Sequence, residues 1–253
     1  MLRTNKLVPT ILVQNESYWL PYVLESLRGY FDRYIIYDVG STDNTREIVD
    51  NFVQSERHNS EFFVRMMPKC EPIIQGAFRN SMIAEARCDY YFIVDGDELY
   101  TPESLKKIID SIPLMERYYL DGLLYGMLPR IEIQADLKTA YGVNEGIPHH
   151  RLYHRTAIFG GAHPGEYPIP EQRGKNQMWL STDILCWHFH GTARSPKDAE
   201  THGRLDRKKK PTYLRGALSA VDIIKELPLL AKPINGFEVN PELKKLQEVC
   251  GVP

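Results

Sequence analysis

Short apolar runs alternate along the first half of the chain with segments whose apolar residues recur at helical spacing. The runs are rich in β-branched and aromatic residues, which is typical of buried strands. Predicted strands cover residues 7–13, 34–37, 62–66 and 90–94. Predicted helices cover residues 20–28, 77–86 and 103–112, with a further helix that includes residues 48–53. This alternation predicts an α/β fold in which helices flank a mostly parallel sheet.

Polar residues follow closely after three of the predicted strands. Asn15, Asp38 and Asp95 each lie at the carboxyl end of an apolar run. In parallel sheets covered by helices, ligands bind beyond the carboxyl ends of the strands. We therefore expect these three side chains to converge on one ligand-binding crevice.

The pattern changes after residue 120, where short strand-like pieces are separated by Gly and Pro. Predicted strands cover residues 122–128, 131–134, 151–153 and 184–188, and predicted helices cover residues 196–208 and 213–227. We therefore expect a smaller β portion beside the parallel sheet, followed by C-terminal helices. The corresponding domain division is 1–195 for the α/β domain and 196–253 for a C-terminal helical appendage.

The composition is that of a globular protein, with 43% apolar and 25% charged residues in a chain of 253. A net charge of −2 argues against nucleic acid as the main partner, because proteins that bind phosphate backbones carry a large basic excess. Basic residues are nevertheless concentrated in residues 202–215. We interpret this stretch as a solvated surface, with a contact to phosphate or an acidic glycan as the alternative.

The four cysteines form no CxxC pair, which predicts free thiols in a reducing compartment. No apolar run approaches the ~18 residues that a membrane span requires, and the N-terminus lacks the apolar core of a signal peptide. We therefore expect a soluble cytoplasmic protein without a transmembrane segment. Peripheral association with a membrane stays open.

The strongest single indication of chemistry is the triplet Asp95-Gly96-Asp97, which directly follows the apolar strand ending at Val94. Two carboxylates at a sheet edge offer the hard oxygen ligands that Mg²⁺ and Mn²⁺ prefer. The glycine between them would let a diphosphate approach the backbone. A surface turn would explain the triplet on its own, but its position after a buried strand favours a site for Mn²⁺ or Mg²⁺.

Four segments together resemble the family 2 glycosyltransferases in their order and spacing. They are residues 11–16, residues 37–45, Arg79-Asn80 and residues 94–98. The resemblance covers about the first half of the chain. It implies a GT-A fold and an enzyme that transfers a sugar from a nucleotide-sugar, commonly a UDP-sugar, to a hydroxyl group of an acceptor.

The resemblance also implies roles for residues of the predicted crevice. Asp38 would contact the base or ribose of the donor, and Asp95 and Asp97 would serve the metal and the diphosphate. Arg79 would face the donor and pair with a phosphate. The other predicted donor-site residues are Gly96, Asn15 and Glu16, the last two with capping of the following helix as the alternative. Family members often carry two adjacent acids where this chain has Asp38 and Val39. The identity of the nucleobase in the donor therefore stays open.

The second half of the chain resembles a subset of the same family. The matching segments are residues 151–153, 159–166 and 187–190. In that subset a glutamate lies where the acceptor hydroxyl is deprotonated, which implies that Glu166 is the catalytic base. Its spacing from His163 departs from the family pattern, so Glu171 and Asp183 remain alternatives.

Two groups of histidines fall in this half of the chain. His188 and His190 alternate in a strand-like piece, so both are predicted to lie on one face. The resemblance implies that one of them completes the metal site, and imidazole is a suitable ligand for Mn²⁺. His149, His150 and His154 are interpreted as part of a loop and the start of a strand, with acceptor binding as the alternative.

These features predict a metal-dependent, inverting glycosyltransferase whose smaller β portion binds the acceptor, a glycan or another molecule with a free hydroxyl. Inversion requires a carboxylate that takes the acceptor proton while the metal stabilises the leaving diphosphate. One alternative is a sugar-nucleotide pyrophosphorylase, which would usually carry a glycine-rich basic loop where this chain has Asn15-Glu16-Ser17-Tyr18. The other is a non-enzymatic nucleotide- or carbohydrate-binding module.

Overall fold

The computed structural model describes residues 5–69, 74–119, 125–134, 136–137, 139–141, 147–160, 177–201, 215–217, 220–232 and 239–251. Within these residues an 11-stranded sheet is covered by helices. Its strands are β1 (Leu7–Val13), β2 (Arg33–Val39), β3 (Glu61–Met67), β4 (Tyr90–Val94), β5 (Glu98–Leu99), β6 (Tyr125–Gln134), β7 (Thr139–Tyr141), β8 (Ile147–His154), β9 (Gln177–Trp179), β10 (Cys186–Gly191) and β11 (Arg215–Ala217). The helices are α1 (Leu20–Leu27), α2 (Thr45–Glu56), α3 (Gln75–Ala86), α4 (Pro102–Asp110), α5 (Ile112–Tyr119), α6 (Ala220–Glu226) and α7 (Pro241–Val249).

The predicted parallel sheet is formed by β3, β2, β1 and β4, in that order. Val13 of β1 lies opposite Asp38 of β2, and Ile11 lies opposite Val94 of β4. The carboxyl ends of β1, β2 and β4 therefore meet at one edge of the sheet, as the sequence predicts.

Helices cover both faces of this half of the sheet because its strands are apolar on both sides. Val8 packs in one cluster with Met82 of α3. Ile11 packs in another with Leu24 of α1. The first residue of α4 is a proline, and Thr101 caps this helix by accepting a 3.1 Å hydrogen bond from the backbone N–H of Ser104.

Beyond β4 the sheet becomes mixed, continuing with β8, β6, β7 and β11. Strand β10 runs parallel to β6 and antiparallel to the short β5, so that His188 lies opposite Glu98. The predicted strands 122–128 and 131–134 join within β6 through Pro129. Pro129 lies opposite Pro148, and its carbonyl accepts a 2.8 Å hydrogen bond from the backbone of Leu185. A proline is accommodated here because neither residue of that pair has an N–H to leave unpaired.

The structure corrects the extent of both predicted C-terminal helices. Arg215–Ala217, expected to be helical, is the strand β11, which pairs antiparallel with β7, and the helix begins at Ala220. The described part of the predicted helix 196–208 contains only a 3-10 turn at Asp198–Glu200, after which Thr201 is extended. An open sheet edge offers backbone partners that outweigh a weak helical pattern.

Residues on both sides of the predicted boundary at residue 195 share one core. Ile223 of α6 and Leu243 of α7 are buried in the same apolar cluster as Ile11 of β1. In the described ranges, no helix is both long enough and apolar enough to span a membrane. Cys88, Cys186 and Cys250 are free thiols, and Cys70 lies outside the described residues.

Candidate active site

Asp95, the first residue after β4, is held by two arginines. Its carboxylate oxygens accept hydrogen bonds from Arg79 Nη2 at 2.9 Å and from Arg151 Nη2 at 2.5 Å. Arg79 projects from α3 and also donates to the carbonyl of Thr10 in β1 at 3.4 Å. Burial favours the neutral acid, but the charges of Arg151 and Arg79 lower the pKa of Asp95 to about 2. This carboxylate is therefore ionised and fixed in position.

Asp97 is fully buried and lies beside β10, where the backbone N–H of Phe189 donates to its carbonyl at 2.9 Å. Its Oδ2 atom is 2.5 Å from Arg194 Nη2 and 3.3 Å from His188 Nε2. Burial opposes ionisation, but the positive charges of Arg194 and His188 hold the pKa of Asp97 well below its usual range. The same contact outweighs burial at His188 and raises the pKa of its imidazole to about 9. Asp97 and His188 therefore form a charged pair.

Glu98 is a further buried acid, to which the sequence analysis gives no role. Arg151 donates to both of its oxygens, with distances of 2.6 to 3.0 Å, and the Tyr100 hydroxyl donates at 2.9 Å. The backbone N–H of Asp95 also donates to Glu98 Oε2 at 3.2 Å. Arg151 thus bridges Asp95 and Glu98 and fixes the conformation of the loop that follows β4.

Glu98, His149 and His188 are all buried, and one ligand atom from each lies within 4.8 Å of the others. Such a cluster has the composition of a metal site, but the oxygens of Glu98 already accept hydrogen bonds from Arg151. Arg194 likewise lies beside Asp97, with its Nη2 atom 2.5 Å from Asp97 Oδ2. Asp97 is the better ligand of the two acids, because neither of its carboxylate oxygens makes a well-aligned hydrogen bond.

Gly96 is required by the packing of Glu16. A Cβ atom added at Gly96 would lie 2.6 Å from the Cγ atom of Glu16, closer than van der Waals contact allows. Glu16 is itself buried, and its Oε1 atom accepts a 3.2 Å hydrogen bond from Arg194 Nη1. Arg194 therefore links the loop after β1 to Asp97.

Asn15 ties together three segments around the predicted crevice. Its backbone is in the left-handed region, with φ of 52°. The side-chain oxygen accepts from the backbone N–H of Thr42 at 2.8 Å, and the side-chain nitrogen donates to Thr201 Oγ1 at 2.9 Å. Asn15 therefore positions the loop after β2 as well as the loop after β1. This role differs from capping the following helix, α1.

Asp38 and Asp43 close the loop after β2. The backbone N–H of Ser41 donates to Asp38 Oδ1 at 2.8 Å, while burial, only partly offset by this hydrogen bond, raises the pKa of Asp38. Asp43 accepts from the backbone N–H of Thr45, the first residue of α2, at 3.0 Å and from Ser195 Oγ at 2.5 Å. The loop is thus attached both to α2 and to the chain that follows β10.

His188 and His190 lie close together, with ring centroids 4.9 Å apart. Of the two, His188 makes the contact with Asp97. On its other side, His188 Nδ1 is 3.8 Å from Glu132, which also pairs with Arg130 at 2.5 Å. Burial raises the pKa of Glu132, but the His188 hydrogen bond and the Arg130 charge outweigh it and lower the pKa to about 2.

The predicted base, Glu166, and its alternative Glu171 lie outside the described residues. Asp183, the second alternative, is exposed and pairs with Lys107 of α4. The segment that leads to Glu166 is anchored at Phe159, which exchanges two hydrogen bonds of 2.9 and 3.0 Å with the side chain of Asn80.

The structure adds site residues to which the sequence analysis gave no role. They are Glu98, Glu132, Arg130, Arg151 and Arg194. The available signal was an arginine inside a predicted strand, as at Arg151 directly before Leu152 and Tyr153, because a buried guanidinium requires a carboxylate partner. The histidines 149, 150 and 154 lie within β8 itself, which corrects their interpretation as part of a loop.

Comparison with known proteins identifies the relationship. The family described as Glycosyl transferase family 2 matches residues 10–195. The SPbeta prophage-derived glycosyltransferase SunS of Bacillus subtilis (strain 168) is 25% identical over 154 residues, which cover 57% of this chain and 33% of SunS. The chain therefore matches about a third of the length of this curated relative.

Solved structures show the same fold. S. aureus TarS 1–349 in complex with UDP-GlcNAc superposes with a TM-score of 0.55 at 15% identity, covering 96% of this chain and 70% of that chain. Another S. aureus TarS structure gives a TM-score of 0.53 at 15% identity over 74% of this chain and 37% of that one. These likenesses confirm the predicted GT-A fold, and since the family match covers more than half of the residues, the chain belongs to glycosyl transferase family 2.

Proposed function

We propose that this chain is a metal-dependent, inverting glycosyltransferase that moves a sugar from a nucleotide-sugar donor to a hydroxyl group of an acceptor. Family membership supports the reaction class. The observation that carries the proposal is the placement of Asp95 and Asp97 at the edge where β1, β2 and β4 end. A UDP-sugar is the proposed donor, a choice supported by the complex of TarS with UDP-GlcNAc.

The residues present fit a divalent cation such as Mn²⁺ or Mg²⁺. Asp97 offers two buried oxygens without well-aligned hydrogen bonds, and the Nε2 atom of His188 faces it at 3.3 Å. Asp97 would hold the ion together with His188, whose imidazole would give up its proton when the metal binds, with Asp95 beside them and His190 as the alternative imidazole. When bound, the cation neutralises the charge that develops on the leaving diphosphate.

The surrounding residues would position the donor. Asp38 lies at the end of β2 beside the loop that Asn15 organises, where a base or ribose would bind. Arg79 holds Asp95 in place and presents positive charge on the side of α3. Glu166 would accept the proton of the acceptor hydroxyl while the acceptor oxygen forms a bond to the anomeric carbon and the bond from that carbon to the diphosphate oxygen breaks.

Calorimetric titration with a panel of nucleoside diphosphates tests the donor site. We expect UDP to bind in the presence of Mn²⁺ and to lose most of its affinity in EDTA. Binding of a different nucleoside diphosphate would replace uracil as the proposed nucleobase of the donor. A folded protein that binds none of them would instead be a transferase fold retained as a non-enzymatic binding module, and the proposal would fail.

Two substitutions test the division of roles. Asp97→Asn should weaken Mn²⁺-dependent nucleotide binding, whereas Glu166→Gln should retain that binding and lose transfer by a factor of roughly 10² to 10⁴, as expected for a general base. Asp110→Asn is the matched control, because Asp110 is exposed and paired with Lys106. Near-normal transfer by Glu166→Gln, together with loss in Asp183→Asn or Glu171→Gln, would move the base to that residue.

A further inference from the structure

An exposed tryptophan lies on the smaller β portion of the sheet. Trp179 is the last residue of β9 and is 46% exposed, although most large aromatic side chains described in this fold are buried. It lies opposite Met127 of β6, and Met127 lies opposite His150 of β8. The three residues therefore form one row across β9, β6 and β8.

Polar side chains border the indole on the same face. Gln177 and Trp179 are two residues apart in one strand, so their side chains project from the same side of the sheet. Gln177 Oε1 and His150 Nε2 are joined by a 3.3 Å hydrogen bond. Behind them, the ring of Tyr125 packs edge-on against His150 with centroids 5.1 Å apart. The result is an exposed aromatic surface flanked by an amide and an imidazole.

This surface is connected to the proposed donor site through β8. His150 is followed by Arg151, whose guanidinium binds Asp95. Strands β8 and β6 lie between β4 and β9, so ordinary strand spacing places β9 about 14 Å from β4. The surface is therefore near the reaction centre but separate from the residues proposed to hold the metal.

The chemistry of the surface indicates its ligand. The face of an indole packs against the apolar C–H face of a sugar ring, while amide and imidazole groups bind hydroxyls. None of Trp179, Gln177 and His150 is an acidic or strongly basic side chain. Burial is the main cause that lowers the pKa of His150 from its ordinary value, so this imidazole is neutral near neutral pH.

We propose that Trp179, Gln177 and His150 form an acceptor subsite that stacks and hydrogen-bonds a neutral sugar unit of an oligosaccharide acceptor. The role as an acceptor subsite rests on the proposed function, whereas sugar binding itself does not. The separation from β4 means that the acceptor carries more than one sugar unit, with an inner unit on Trp179 and the reacting hydroxyl nearer Asp97.

The test is calorimetric titration of the full chain with cellotriose, maltotriose, mannotriose and chitotriose. We expect one of them to bind, with an affinity at least tenfold weaker in Trp179→Ala and only partly reduced in Trp179→Phe. Tyr118→Ala is the matched control, because Tyr118 is an aromatic residue of α5 with 41% exposure. Its substitution should leave sugar binding unchanged.

Circular dichroism confirms that each variant remains folded, and each variant is also titrated with UDP and Mn²⁺. Sugar binding that persists in Trp179→Ala overturns the inference, as does the absence of binding of all four sugars to the unmodified chain. If UDP fails to bind while Trp179-dependent sugar binding is observed, the proposed function fails and the sugar subsite stands. The reverse result rejects the subsite and leaves the proposed function in place.

Discussion

At the residue scale, the candidate site consists of buried carboxylates paired with buried, positively charged side chains. Arg194 is the clearest case, since it contacts both Asp97 and Glu16 in a setting where all three side chains are buried. Removing one member of such a group leaves an uncompensated charge away from water. The arginines therefore hold the carboxylates in an ionised form while supporting the loops that carry them.

Replacing Arg194 with methionine tests this dependence. Arg194→Met should lower the free energy of unfolding by about 3–5 kcal/mol, because Asp97 and Glu16 would both lose their buried partner. Urea denaturation measures the change. Lys197→Met is the control, since Lys197 pairs with Glu200 on the surface and should have little effect. A loss as small as that of the control would mean that the Arg194 pairs do not stabilise the fold.

The His188–Asp97 pair makes stability depend on pH. The folded-state pKa of His188, about 9, lies above its ordinary value of 6.5, so the folded protein binds the proton more tightly than the unfolded chain does. The resulting stabilisation is complete below pH 6.5 and is lost as the pH rises through about 9. In EDTA, the free energy of unfolding should therefore fall between these two pH values.

A histidine variant provides the comparison. His188→Gln should show a flatter dependence on pH over this interval, measured by urea denaturation at several pH values. His58→Gln is the control, because His58 is exposed at the end of α2 and should behave as the unmodified protein does. If the unmodified protein gains stability with rising pH in this interval, the assignment of a charged pair is wrong.

At the element scale, α3 contacts both the loop after β4 and the backbone at Phe159. Arg79 on this helix binds Asp95, while the next residue, Asn80, binds the backbone of Phe159. The helix also approaches closely, because a Cβ atom at Gly76 would lie 2.4 Å from the carbonyl oxygen of Gly160. One helix thus holds two separate segments of the chain in place.

Asn80→Ala should release the segment at Phe159 without unfolding the sheet. Loss of two hydrogen bonds should cost about 1–2 kcal/mol, and the amide of Phe159 should exchange with deuterium faster. Amide exchange followed by mass spectrometry or NMR measures this effect. Asn51→Ala, at an exposed position of α2, should leave exchange at Phe159 unchanged. Unaltered exchange in Asn80→Ala would show that other contacts hold the segment.

At the scale of the whole molecule, the C-terminal helix α7 supports the site from the far end of the chain. Asn240 caps α7 by accepting from the backbone N–H of Glu242 at 2.8 Å, and its amide donates to the carbonyl of Ala193 at 2.7 Å. The same carbonyl accepts from the indole of Trp19 at 2.9 Å. Residues distant in the sequence therefore converge beside Arg194.

Leu243→Ala tests whether the C-terminal residues fold with the rest of the protein. Leu243 is fully buried in the main core, so the free energy of unfolding should fall by about 2–5 kcal/mol in a single transition. Tryptophan fluorescence and circular dichroism should report the same midpoint. Lys244→Ala, exposed on the same helix, is the control. A separate transition that leaves the main one unchanged would support a division near residue 195.

The succession of strands and helices along the first half of the chain could be predicted, because each element depends on residues that are neighbours in the sequence. A continuous apolar run identifies β4, and the Thr-Pro pair at residues 101–102 identifies the start of α4, as the structure confirms. The same local reasoning failed at Arg215–Ala217, because this segment pairs with β7, a partner more than 70 residues away. Local patterns do not record a partner of that kind.

The sequence by itself determined the α/β order of the first half, the family resemblance and the position of Asp95 and Asp97 after a buried strand. Only the tertiary structure decided which groups surround those acids. Arg151 and Asp95 are 56 residues apart in the chain, and Arg194 and Glu16 are 178 apart. Such pairs form because a buried charge must meet its counter-charge in space, and chain folding, not sequence spacing, determines which two meet.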